Sequence, residues 1–228
     1  MWCPTRLHRN SISDPAVRVL LIGGGGHASD VLGVFEALAR HSAEPHPIIG
    51  FVAEGDVDPR RFSHRGVRQL GDFDDIKSID ASHYVLGIGF SQPREAVDRR
   101  ITGHGLTGAT AIHPLADVPP ATTIGSGTVI FSGVRLSSLV TIGRHVCLSS
   151  GAIMGHDCQI EDYVTVLPGA AIGGDTHLGE ACLVGSNATV IQKLRIGVRA
   201  VVGAGAVVVR DVPDGLVVVG NPAKALEK

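Results

Sequence analysis

From Ile112 onward the chain places an aliphatic side chain at every sixth position without a break: Ile112, Val118, Ile124, Ile130, Leu136, Ile142, Leu148, Met154, Ile160, Val166, Ile172, Leu178, Val184, Val190, Ile196, Val202 and Val208. Four residues after each comes a residue that is nearly always small, among them Thr128, Ala152, Cys158, Ala170, Cys182 and Ala188. A run this long at one spacing is far outside chance, and a hexapeptide β-helix predicts it. Three hexads close one triangular coil, so these seventeen hexads predict between five and six coils. Residues eighteen apart then stack at about the inter-strand spacing of 4.8 Å. The aliphatic residue plugs the interior and the small residue sits beside it. The glycines that follow many plugs directly, such as Gly125, Gly143, Gly155 and Gly173, are expected to ease the turns. Thirty glycines against six Phe, two Tyr and one Trp fit a core built without aromatic bulk.

The segment before the hexads reads differently. An apolar run at 17–22 stops at Gly23-Gly24-Gly25-Gly26, and the periodic stretch 31–39 follows, which is strand, glycine turn and helix. Further apolar runs at 48–52 and 84–89 precede a helix expected over 93–102. The alternation predicts a small Rossmann-like parallel βαβ domain over 17–108, then a parallel β-helix over 109–213, with a flexible leader at 1–16 and a C-terminal tail at 214–228. The fold class is thus α/β plus β-solenoid.

Twenty Lys and Arg against twenty-two Asp and Glu leave a net charge of −2, so no basic field is present to hold nucleic acid. No run of eighteen apolar residues exists, which argues against a membrane-inserted helix. Cys3, Cys147, Cys158 and Cys182 form no CxxC pair, and a reducing, cytoplasmic setting is expected. Cys158 and Cys182 fall at the small inward position, Cys147 outward. The hexad phase sends His156 and Cys158 to opposite sides of the wall, so no metal site is expected. His145, His177 and the remaining histidines outside the motifs below are expected to be surface or cap residues. Outward apolar residues such as Val129, Phe131, Leu139 and Val201 would be wet in a monomer and predict a trimer.

The glycine turn with His27, the unbroken hexads, Gly155-His156-Asp157 and the closing VGNPAKAL at 219–226 resemble the bacterial sugar O- and N-acetyltransferases with a left-handed β-helix. The pattern is similar to that of enzymes that acetylate nucleotide-linked 4-amino-sugars and of the sialic-acid O-acetyltransferases. The resemblance implies a homotrimer with active sites at subunit interfaces, acetyl-CoA as co-substrate in the groove between β-helices, no metal, and a nucleotide-linked amino sugar on the N-terminal domain. It also implies that His156 is the general base with Asp157 beside it. Gly24, Gly25, Gly26, His27 and Glu54 match the sugar-nucleotide side. Gly174, Ser186, Ala204 and Lys224 match the cofactor groove. Two departures stand out: the family's acidic pair after the second strand falls on Ala53 and Glu54, and a second active-site histidine of some relatives falls on Thr165.

The residues themselves support that chemistry in part. An outward imidazole can take a proton from an attacking amine, an adjacent carboxylate can fix its tautomer, and a glycine one coil further can offer an N–H to an oxyanion. Gly23, Gly25 and Ala28 also satisfy the G-x-G-x-x-A dinucleotide fingerprint, with Glu54 at a long distance for a ribose contact. An NAD-linked role is therefore one alternative for the turn. Sugar O-acetylation and a non-catalytic trimeric scaffold are alternatives for the whole chain.

Overall fold

A computed structural model describes residues 17–226, and the leader expected over 1–16, with Cys3, lies outside the described residues. Strands β1 (Val19–Ile22), β2 (Ile48–Val52), β3 (Gln69–Gly71), β4 (His83–Leu86) and β5 (Thr107–Gly108) form a parallel sheet of order β3-β2-β1-β4-β5, crossed by helices α1 (Gly26–Ser42) and α2 (Ser91–Ile101). β3 and β5 are too short to show alternation in the sequence. Helix α1 starts five residues before its apolar stretch because the glycine turn itself enters the first turn, with Gly25 as the cap. It buries Ala28, Val31, Leu32, Val34, Phe35 and Ala37.

The hexads form a triangular parallel β-helix. Each plug is the second residue of a two-residue strand, and strands pair in parallel at a spacing of eighteen, as in Cys147 with Thr165 and Thr141 with Gln159. The first face stacks Ile112, Ile130, Leu148, Val166, Val184 and Val202. The second stacks Ile124, Ile142, Ile160, Leu178 and Ile196, and the third Leu136, Met154, Ile172, Val190 and Val208. These plugs, with inward Cys158 and Cys182, make one continuous core. The chain past residue 213 prolongs the first face: Val217–Val219 pairs with Val201–Val202, and Lys224–Ala225 turns back against it as the one antiparallel pair among the described strands.

Each corner carries a residue of positive φ, three past the plug. Gly127, His145, Tyr163, Ala181 and Arg199 form one column, and Leu139, Asp157, Asp175 and Lys193 another. The glycines directly after the plugs do not serve this purpose. A Cβ on Gly155 would lie 2.4 Å from the Gly174 backbone nitrogen of the next coil. Glycine is needed there for close approach of the coils, and the left-handed turns fall two residues later, largely on non-glycine residues.

The first face is covered within the chain. Val129, Phe131 and Cys147 are buried in one cluster with α1 and the sheet, which corrects the expectation that Val129 and Phe131 are wet. Leu139, at another corner, is 59% exposed. Helix α2, polar in sequence, buries Ser91, Arg94, Glu95 and Asp98 against the Gly127–Arg199 column. Arg94 Nε donates to the His145 carbonyl at 2.9 Å, one Nη to the Ile88 and Gly89 carbonyls at 3.0 Å, and the other to the Tyr163 carbonyl at 2.7 Å and Thr165 Oγ1 at 2.9 Å. Asp98 accepts from the Tyr84 hydroxyl and from the Tyr163 hydroxyl at 2.5 Å, with His145 Nε2 at 3.1 Å. Burial works against this carboxylate, but hydrogen bonds from His145, Tyr163 and Tyr84 outweigh it and hold Asp98 well below the usual carboxylate range. His145 is therefore no surface residue; it is 1% exposed and stacks between Tyr84 and Tyr163.

Removing Arg94 strands several buried acceptors at once. Arg94→Met is expected to cost about 3–5 kcal/mol, a fall in melting temperature on the order of 10 °C. A thermal unfolding curve unchanged from the parent would show that α2 is not held by this side chain.

Candidate active site

His156 and Asp157 lie two and three residues past the plug Met154, at the corner between the third and second faces. Asp157 takes the positive-φ position, and its Oδ2 accepts from His156 Nδ1 at 2.7 Å. Both side chains are more than half exposed. With Nδ1–H donated to the carboxylate, Nε2 is left as a free lone pair. One coil on, the Asp175 N–H donates to the His156 carbonyl at 2.7 Å, locking the two corners in register. A Cβ placed on Gly174 would stand 2.7 Å from His156 Nε2, so a side chain there would push the ring from this position. The Gly174 N–H has no hydrogen-bond partner among the described residues.

Ser186 and Ala204 occupy the same hexad phase, two residues past the plugs Val184 and Val202, at the corner between the first and third faces. Their N–H groups are likewise without partner among the described residues. The third face thus runs between the corner bearing His156 and Gly174 and the corner bearing Ser186 and Ala204. Lys224 is exposed on the returning strand beyond the first face.

The glycine turn closes the end of β1. Gly23 has φ +116°, and a Cβ on Gly24 would stand 2.5 Å from Val57 Cγ2. Gly25 faces open space, and α1 has no side-chain cap, which leaves the N–H groups of its first turn, from Gly26 on, open. His27 leaves this turn toward the β-helix: Nε2 lies 3.7 Å from Cys147 Sγ and the ring packs on Phe131. Burial, with the Arg94 charge, lowers its pKa to about 4, so the imidazole is neutral near pH 7. It borders a 500 Å³ cleft that also meets Ser29, Asp30, Arg65, Ser132 and Ser150. Glu54 is exposed beyond β2 and accepts from Arg100 at 3.1 Å.

The candidates therefore form two groups. His156, Asp157 and Gly174 meet at one corner, while His27 and the glycine turn sit over the first face, the face that corner does not touch. One chain does not bring the groups together. Thr165 is buried under Arg94. His177, expected on the surface, is paired with Glu161 at 2.7 Å on the second face. Among the described residues no group of three or more His, Cys, Asp or Glu is arranged to hold a metal ion. No described helix is long and apolar enough to cross a membrane.

No protein-family profile and no curated protein matches the chain. Solved structures do. The chain is similar to perosamine N-acetyltransferase PerB of Caulobacter crescentus, solved with CoA and GDP-perosamine, at 31% identity and a TM-score of 0.84, over 92% of this chain and 97% of that one. It is similar to the acetyltransferase domain of PglB from Neisseria gonorrhoeae, solved with acetyl coenzyme A, at 29% identity and a TM-score of 0.81, over 92% and 98%. WeeI from Acinetobacter baumannii matches at 26% identity and a TM-score of 0.78, over 92% and 100%. The chain belongs to the hexapeptide-repeat nucleotide-amino-sugar acetyltransferases.

Proposed function

We propose that the protein transfers the acetyl group of acetyl-CoA to the C4 amine of a nucleotide-linked 4-amino-4,6-dideoxyhexose, of the GDP-perosamine or UDP-bacillosamine-precursor type. The observation that carries this reading is the His156–Asp157 hydrogen bond beside the free Gly174 N–H. The amine attacks the thioester carbon in a ternary complex. His156 Nε2 takes the proton that the attacking nitrogen sheds, and Asp157 steadies the imidazolium through Nδ1–H. The Gly174 N–H stabilises the oxyanion. The tetrahedral intermediate then expels the CoA thiolate, which recovers the proton from His156, leaving amide and thiol.

The N-terminal sheet over 17–108 serves in this reading as a Rossmann-like domain that holds the nucleotide sugar. The first-turn N–H groups of α1 meet the diphosphate. The neutral His27 offers a hydrogen bond there, and Glu54 faces the nucleoside. The β-helix, left-handed as in the family, extends over 109–213 with 214–228 as its tail. Ser186, Ala204 and Lys224 line the CoA groove. Because His27 and His156 belong to different sides of one chain, each active site is built from two chains, and a homotrimer supplies three such junctions. Exposed Leu139, Ile153, Ile191 and Val209, on and beside the third face, support burial there. The buried, unpaired Cys147, Cys158 and Cys182 fit a cytoplasmic enzyme.

His156→Ala or His156→Asn is expected to lower kcat roughly 10²–10⁴-fold with KM values and assembly little changed, and Asp157→Asn to cost less. Near-native kcat would show that another group takes the proton.

His27→Ala should raise KM for the nucleotide sugar far more than for acetyl-CoA. In an NMR titration the His27 ring should stay neutral until about pH 4. Because its folded pKa lies below the unfolded value, the ring stabilises the fold above pH 6.5 and that contribution is lost as the pH falls toward 4. Equal effects on both substrates would detach the glycine turn from the nucleotide.

Co-refolding the His27→Ala and His156→Ala variants together should recover activity at low nucleotide-sugar concentration, where each variant alone is slow, because some junctions then pair an intact His27 with an intact His156. Sedimentation of the parent as a fully active monomer, or no recovery on mixing, would remove the shared-site arrangement.

A further inference from the structure

We propose that Cys158 is a positioning residue for the acetyl transfer: from inside the β-helix its thiol fixes the peptide whose N–H meets the oxyanion. The inference rests on the reading of Gly174 given above and adds the group that aims its N–H.

The peptide between Gly173 and Gly174 differs from the peptides on either side of it. Just before it, the Ile172 carbonyl accepts from the Gly155 N–H and the Gly173 N–H donates to the Val190 carbonyl, both at 2.8 Å. Just after it, the Gly174 carbonyl accepts from the Lys193 N–H at 2.9 Å and the Asp175 N–H donates to the His156 carbonyl at 2.7 Å. Both neighbours are thus clamped between the coils on either side. The peptide between them takes no part in that ladder among the described residues. Its flanking torsions both belong to glycines, so this one plane can rotate at little steric cost.

One tie holds it. The Cys158 thiol, fully buried in the continuous core, donates to the Gly173 carbonyl with Sγ at 3.2 Å. In a trans peptide the C=O and N–H point in opposite directions. A carbonyl drawn inward to the thiol therefore turns the Gly174 N–H out of the wall, at the corner that carries His156. Burial pushes the thiol pKa up, so the S–H is kept as a donor near pH 7. A hydrogen bond to the carbonyl also polarises the peptide and strengthens its N–H as a donor.

The same tie recurs at other coils where the inward small residue carries a hydroxyl. Thr128 Oγ1 donates to the Gly143 carbonyl at 2.8 Å and Thr176 Oγ1 to the Ile191 carbonyl at 3.4 Å, each across fifteen residues, the span from Cys158 to Gly173. Where the inward residue offers no donor, the turn can supply one locally: the Gly185 and Gly203 carbonyls accept from the N–H groups of Ala188 at 3.1 Å and Ala206 at 3.2 Å. Gly173 has no such local donor among the described residues, so the thiol is the one partner its carbonyl has there. The tie that elsewhere only satisfies a carbonyl stands here directly behind the candidate oxyanion donor.

Steady-state kinetics of the full-length protein, with the amide ¹⁵N resonance of Gly174, test the assignment. Alanine already fills this phase at Ala152, Ala170 and Ala188, so the scaffold accommodates Cys158→Ala. That variant should lower kcat about threefold to tenfold, a fraction of the roughly 10²–10³-fold that removal of a whole oxyanion donor costs. Both KM values should change little, and the Gly174 resonance should shift. Cys158→Thr, with the hydroxyl that makes this tie from Thr128 and Thr176, should restore kcat and the resonance. Cys182→Ala makes the same truncation in the same core away from this peptide and should leave kcat at the parent value. No loss in Cys158→Ala, or a loss shared equally by Cys158→Thr or Cys182→Ala, would overturn the positioning role while leaving the oxyanion reading in place. A parent protein that transfers no acetyl group to GDP-linked or UDP-linked 4-amino sugars would remove both.

Discussion

Everything in this molecule follows from the requirement that each coil return to register after eighteen residues. The backbone hydrogen bonds of the β-helix run from one coil to the next, as from Cys147 N–H to the Val164 carbonyl and from Gly173 N–H to the Val190 carbonyl. A coil out of phase would forfeit all of them and turn its plugs outward. Once that phase is fixed, each residue is a plug, an inward small residue, a corner or an outward residue. His156, Gly174, Ser186 and Ala204 share one phase, the corner position whose N–H has no partner in the ladder. The candidate chemistry therefore occupies the sites that the scaffold leaves unsatisfied.

Much of this was legible from sequence because the period is a direct image of the structure. The plugs, the inward cysteines and the exposed His156–Asp157 corner all read off the phase. The junction between α2 and the β-helix did not. SQPREAVDRRI reads as a solvated helix, yet Arg94, Glu95 and Asp98 are buried in it. Their partners His145 and Tyr163 lie at corner positions that the phase marks as outward, and only the fold reveals that this corner is covered. Ion pairing was invisible for the same reason: Glu95 meets Arg199 at 2.8 Å across 104 residues. The role of the post-plug glycines is also hidden, since a sequence does not distinguish a glycine needed for φ from one needed for proximity.

The dinucleotide-like fingerprint has a packing explanation that does not require NAD. Gly23 takes a positive φ to leave β1, Gly24 admits Val57, and a Cβ on Gly87 would stand 2.5 Å from the Ala28 Cβ. Small residues at these points let α1 descend closely onto β1 and β4, which any diphosphate-binding turn at this position requires. The scaffold alternative is likewise answered by membership in a family of enzymes, with an imidazole, a carboxylate and an unpartnered N–H standing together at one corner.

The strand that turns back at the C-terminus has a consequence for the molecule as a whole. A stack of parallel coils ends in a row of unpaired backbone groups, and the first face would offer that row to the end of another molecule. Antiparallel pairing of Val218 with Ala225 and of Val219 with Lys224 fills the last rung of that face from the same chain and sets a charged side chain on it. A two-residue edge carrying a lysine is a far poorer template for end-to-end addition along the first face than a bare parallel rung would be.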